Sequence, residues 1–357
     1  MTVGSALGAP LLGRLVDRRG LRPMLLLTTA VSALFWGTAP VLPYPVLLGV
    51  AFVGGLLTLP VFSVVRQSIA ALVPPTQRRQ AYALDSMSVE LGFMIGPAGA
   101  VALATSVSPT LTMYAVGGGI VLAGLTLLVL NPPTGARDEE TTSGQPLPRR
   151  QWLTPRLIGL LAGGAASTLV IAGNDVTVVA VLRDAGQVDR AGVVPALWAS
   201  YSLVGGFTYG ALSRPVPSLT LTLVLGLVTI PIGLGSGEWW LLALVLLPSG
   251  ALTAPTVAAT ADAVSRLVPA SVRGEAMGLH GSAMTVGLAL GAPLAGAVID
   301  ASAPAWGFAA TGLLGALIAL AVLPTELRHR RSDAAAEATI TPTAAPTPDS
   351  ASARSAV

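Results

Sequence analysis

Apolar stretches recur along the chain from Met1 to Leu323, separated by short gaps that hold most of the charged residues. A helix that crosses roughly 30 Å of hydrocarbon needs about 20 apolar residues at 1.5 Å each. Measured against that length, the pattern predicts eleven spanning helices: 1–16, 24–42, 45–72, 80–104, 110–130, 157–182, 193–213, 218–235, 239–267, 276–300 and 305–323. Many Gly and Pro residues interrupt them. That would break helices in water but is tolerated where neighbouring helices re-satisfy the backbone.

Composition sets the class. Hydrophobic residues make up 53% of the chain, charged residues 10%, and mean hydropathy is +0.74; a soluble domain carries roughly 25% charged residues. The fold class is therefore an all-α polytopic membrane protein embedded in the lipid bilayer. There is no cysteine, and His280 and His329 are far apart, so no metal or cofactor is expected. All twenty basic residues are arginine and most lie in the gaps, which is a topology signal rather than a nucleic-acid footprint. Seventeen of them fall on one side, against Arg183 and Arg190 on the other, with Arg66 inside a helix. The crowded side is expected to be cytoplasmic, as is the C-terminus.

Four regions follow: an N-terminal bundle 1–130, a flexible cytoplasmic linker 131–156, a C-terminal six-helix bundle 157–323, and a cytoplasmic tail 324–357 whose Ala-, Thr- and Pro-rich end should be disordered. The bundles look duplicated. At a constant offset of 195, Pro60 matches Pro255, Leu72-Val73-Pro74 matches Leu267-Val268-Pro269, and Arg78, Leu84, Gly92 and Gly96 match Arg273, Leu279, Gly287 and Gly291. Parallel helical repeats about a linker describe one class of transporter, with the substrate between the halves.

The gap Gly13-Arg14-Leu15-Val16-Asp17-Arg18-Arg19-Gly20-Leu21-Arg22 resembles the loop between the second and third helices of the major facilitator superfamily, whose pattern is Gly-x-x-x-Asp-Arg/Lys-x-Gly-Arg/Lys-Arg/Lys. Gly13, Asp17, Arg18, Gly20 and Arg22 match, and Leu21 departs. The resemblance covers residues 1–323. It implies a two-bundle fold and a gate between Asp17 and the helix beginning near Ala276, while the arginines by themselves also serve as topology anchors. Gly92 to Gly99 is similar to the Gly-x-x-x-Gly-Pro element of proton-coupled exporters, with Gly92, Gly96 and Pro97 in place and Ala100 and Val101 departing. The same glycines, with Gly287 and Gly291, also read as helix-packing positions. The family plan has twelve helices. This chain opens thirteen residues before Arg14, so the first family helix reads as missing and the chain as truncated at the N-terminus.

Ionisable residues inside spans cost about 2.5 to 3.5 kcal/mol at a helix centre and mark pathways. Arg66, Asp85, Glu90 and Asp175 stand out, with Asn174 beside the last. By helical rise, Arg66, Asp85 and Glu90 lie about 9, 8 and 15 Å from the arginine-rich end, so Arg66 can pair with either acid. Asp85 and Glu90 point about 140° apart and cannot both face it. Glu90 is the first choice for a proton carrier, because a low dielectric favours the protonated carboxyl and a nearby cation the ionised one. Asp175, about 27 Å into its helix, either serves the pathway or ends the buried part of the helix. Asp262 and Arg266 read as an i, i+4 pair.

The reading is a multi-pass plasma-membrane secondary transporter, acting as a monomer and exchanging protons for a small amphiphilic solute. An enzyme is not expected, since no His-Glu-x-x-His occurs and the absence of Lys rules out a nucleotide-binding Gly-Lys-Ser/Thr loop. The competing class is a non-transporting membrane regulator or receptor, or an inactive transporter fragment.

Overall fold

The computed structural model describes residues 1–134, 147–212 and 216–340. The centre of the linker, with Arg137, the loop residue Arg214 and the last seventeen residues of the tail, with Arg354, lie outside them. The first half contains α1 (Thr2–Arg19), α2 (Leu21–Thr38), α3 (Tyr44–Leu56), α4 (Val61–Leu72), α5 (Arg78–Ser106) and α6 (Pro109–Leu130). A short α7 (Arg149–Trp152) precedes the second half. That half contains α8 (Pro155–Asp184), α9 (Val193–Ala211), α10 (Ser218–Thr229), α11 (Trp239–Val245), α12 (Leu247–Leu267), α13 (Arg273–Ala301) and α14 (Trp306–Ile340).

Each predicted segment falls on one helix or on a bent pair, and the bends have local causes. Pro60 has no N–H to give and separates α3 from α4. Pro231, Gly233 and Gly235 tighten the end of α10 into a 3-10 turn over Ile230–Gly235. Pro248 in the first turn of α12 accompanies a 43° bend from α11. Among the described residues, seven segments are individually long and apolar enough to cross a membrane, eight if the α11–α12 pair is one span. The first helix does not qualify alone, because Arg14, Asp17, Arg18 and Arg19 occupy its last turns.

The repeat is visible in the helices themselves. At the same offset of 195, α5 and α13 are both 29 residues long, and α4 and α12 end at Leu72 and Leu267. Within the first half α2 packs on α6 and α1 on α3; within the second, α8 packs on α13 and α14, and α9 on α12. Four helix pairs pack most closely across the halves: α1 with α13, α5 with α9, α5 with α12 and α4 with α13. The repeat relates α1–α13 to α9–α5 and α4–α13 to α12–α5.

Two segments differ from their expected disorder. The end of the linker is folded: α7 places Trp152 in an apolar cluster with Leu157, Leu160 and Leu219, because a buried indole outweighs the local polarity of Arg149, Arg150 and Gln151. The last helix also runs past Leu323 to Ile340, carried through Pro324 by an Ala-rich sequence of high helix propensity.

The glycine pattern divides. A Cβ on Gly287 or Gly291 would strike the carbonyls of Ala165 or Leu169 on α8, so these two let helix backbones touch. Gly92 and Gly96 are exposed, and a Cβ there meets nothing. Their expected packing role is corrected: no helix among the described residues approaches that face of α5. Gly291→Ala should therefore lower stability by about 1 to 3 kcal/mol through overpacking, whereas Gly92→Ala should be neutral or slightly stabilising; thermal unfolding of the purified chain in detergent measures both.

Candidate functional site

At the arginine-rich end, Gly13 is buried so closely against α13 that a Cβ there would strike the Gly274 carbonyl. This approach lays the Asp17 carboxylate over the first turn of α13. Its Oδ1 accepts from the Gly274 N–H at 2.9 Å and its Oδ2 from the Glu275 N–H at 2.7 Å. Helix N-termini leave these donors unpaired and carry partial positive charge, so an anion there is worth up to about 2 kcal/mol when partly buried. Gly20 makes the turn that follows: its φ is 82°, left-handed backbone that a side chain disfavours, and its N–H caps α1 on the Val16 carbonyl. Arg18 and Arg22 are exposed.

Glu275, one position beyond the cap, is 5% exposed. It accepts from Arg149 Nε at 2.6 Å and from Arg149 Nη2, with Arg14 Nε at 3.7 Å. The linker is thus tied to the same helix start that Asp17 caps. Glu275 and Arg149 were not anticipated as partners, because nothing in their spacing announces a contact across 126 residues. On the repeat-related side, Arg79 Nη2 donates to the Leu212 carbonyl, and Arg266 Nη2 to the Pro75 carbonyl at 2.8 Å. Arg266 also holds Asp262 at 2.9 Å, the expected i, i+4 pair.

Deeper between the halves, Arg66 is 1% exposed and pairs with Asp85, Nε to Oδ2 at 3.0 Å. This resolves the choice of partner in favour of Asp85 over Glu90. Tyr82 Oη donates to the Arg66 carbonyl at 3.0 Å and fixes α4 against α5. Arg66 Nη1 reaches Met284 Sδ on α13 at 3.3 Å, while Nη2 has no partner. Beyond it opens a cavity of about 140 Å³ walled by both halves. Arg66, Ser86 and Glu90 enter it from the first half, and Asp175, Trp198 and Met284 from the second.

Asp85 stands behind Arg66 and does not line the cavity. Asn174 does not either, which corrects its place among the pathway residues. It is fully buried in the second bundle, donating from Nδ2 to Ser249 Oγ at 3.1 Å, because adjacent helical positions point about 100° apart. Phe62 and Phe93 do line the cavity. Trp198 was not anticipated; a tryptophan five residues into a helix reads equally well as an interfacial anchor.

The model of the Major Facilitator Superfamily matches over residues 1–237 and 160–354. The chain belongs to the major facilitator superfamily. It is a membrane transporter fold rather than an enzyme, and no curated protein matches it significantly. The human organic anion transporter MFSD10 (TETRAN) superposes with a TM-score of 0.71 at 19% identity, covering 90% of this chain and 81% of that one. The proton:xylose symporter XylE, bound to 6-bromo-6-deoxy-D-glucose, gives 0.68 at 14%, covering 89% and 83%. A bacterial homologue of the iron transporter ferroportin, in an outward-facing state, gives 0.65 at 16%, covering 90% and 88%. At these identities the likeness concerns the fold.

Two outcomes test this superfamily site. Asp85→Asn should destabilise the chain by about 3 to 5 kcal/mol by leaving Arg66 charged and unpaired, read as a lowered thermal unfolding midpoint. Because the chain has no cysteine, Thr285→Cys in the cavity wall provides a unique reporter. Adding Asp17→Ala should speed its labelling by a bulky thiol reagent, applied from the arginine-rich side, by about tenfold, as two charge-assisted bonds to α13 are lost.

Proposed function

We propose that this chain is a proton-coupled secondary transporter that exports small amphiphilic solutes by alternating access, with its arginine-rich end and C-terminus in the cytosol and the plasma membrane as its site. The observation that carries the reading is the cavity between the halves, where Glu90 and Asp175 have no hydrogen-bond or ion-pair partner among the described residues while the arginine-rich end is closed by Asp17, Arg79 and Arg266.

A carboxylate without a cation beside it in a cavity of low dielectric gains from carrying a proton, and one exposed to water or to a cationic solute gains from releasing it. Arg66 is already neutralised by Asp85, which leaves Glu90 available for exchange. Rocking of the halves would require the Asp17 bonds to break at the cytosolic end, so they hold the closed state. The apolar residues around the acids, Phe62, Ile171, Phe93 and Leu288, suit a solute with a sizeable apolar body. A monomer contains the whole cavity.

The experiment is proton flux in proteoliposomes of the purified chain, driven by gradients of amphiphilic solutes. A solute gradient should drive opposing proton movement, and Glu90→Gln should flatten the pH dependence of solute transport. Solute movement with unchanged pH dependence in Glu90→Gln would remove Glu90 from the coupling. Absence of flux with every solute would favour a regulatory membrane protein instead.

A further inference from the structure

The polar groups of the central cavity are segregated. Toward the closed end lie Arg66, 1% exposed with Nη2 unpartnered, and Ser86, 2% exposed with Oγ unpartnered. One helical turn further along α5 lies Glu90, and Asp175 joins it from α8. Ser86 and Glu90 are i, i+4 and share a face, about 6 Å apart along the axis. Between and around them the wall is apolar and aromatic.

Buried donors without partners cost about 1 to 3 kcal/mol each, and native folds seldom leave them so unless a ligand or water completes them. Here two such donors, themselves buried, belong to residues that line the same space as two unpaired carboxylates. A solute bearing only positive charge would meet Glu90 and Asp175 but leave the Arg66 Nη2 and Ser86 Oγ donors unfilled. A solute bearing only negative charge would fill the donors and be repelled by the two acids. A solute with both charges satisfies all four groups.

We propose that the cavity selects amphoteric solutes: a carboxylate or similar oxyanion held by Arg66 Nη2 and Ser86 Oγ, an ammonium held by Glu90 and Asp175, and an aromatic or apolar body that separates the two charges by about one helical turn. The proposal rests on the transport reading above and names the chemistry of its substrate.

Three probes of one size test it: para-(aminomethyl)benzoate, para-methylbenzylamine and para-toluate, each titrated against the thermal unfolding midpoint of the purified full chain. The zwitterion should half-saturate at about tenfold lower concentration than either singly charged probe. Ser86→Ala should weaken the zwitterion and para-toluate but not the amine, and Asp175→Asn should weaken the zwitterion and the amine but not para-toluate. Both variants leave the Arg66–Asp85 pair intact, so loss of folding does not obscure the result. A singly charged probe that binds as tightly as the zwitterion would overturn the proposal. So would failure of all three probes in a chain that still exchanges protons for tetraphenylphosphonium, which would leave the transport reading standing. Absence of proton flux with any solute would remove both.

Discussion

The two halves meet at the arginine-rich end through the Asp17 carboxylate and the bare first turn of α13. This contact exists only because Gly13 and Gly274 have no side chains and the two backbones nearly touch. Any larger residue at either position would lift Asp17 off the amides it caps. Everything that lies deeper depends on this approach. It holds α1 against α13, keeps Met284 and Thr285 of α13 opposite α4, and so defines the floor of the cavity in which Arg66 and Glu90 face the second half.

The same helix start carries a second tie. Glu275 binds Arg149 from the linker, and Trp152 anchors the linker among Leu157, Leu160 and Leu219. The linker is therefore mechanically continuous with the α1–α13 contact, and movement of α13 away from α1 must either carry α7 with it or break a charged pair. An anionic group capped by a helix terminus and a neighbouring carboxylate held by an arginine are complementary. Each keeps two negative charges tolerable in one small volume.

The internal repeat also shows where the halves have diverged. Asp85 and His280 are equivalent at the offset of 195, and each faces the helix that precedes its own. In the first half the pair is ionic, Arg66 with Asp85 at 3.0 Å; in the second it is a hydrogen bond between an imidazole and a hydroxyl, His280 Nε2 with Thr260 Oγ1 at 3.2 Å. Among the described residues, only the first half places a guanidinium at the cavity wall, and the unpaired acids Glu90 and Asp175 lie further along. Polarity across the cavity is thus a consequence of asymmetry between two copies of one plan.

The sequence alone determined the class, the helices and the repeat, because a bilayer demands long apolar runs and leaves charge in the gaps. These constraints act locally, so a reader of the chain can see them. The turn from Gly13 to Arg22 was legible too, and with it the contact of Asp17 with the start of α13. The partner of Arg66 was not, since Asp85 and Glu90 lie at compatible depths and only the rotation of α5 against α4 separates them. Asn174 and Asp175 are neighbours in the chain yet enter a bundle core and a cavity respectively, a difference set by about 100° of helical phase. Gly92 and Gly287 occupy equivalent positions, but packing depends on whether another helix arrives. Arg149 and Glu275 needed the folded chain to meet at all. Tertiary structure decided what long-range approach decides: which charges are paired, which are left facing open space, and therefore what the cavity can hold.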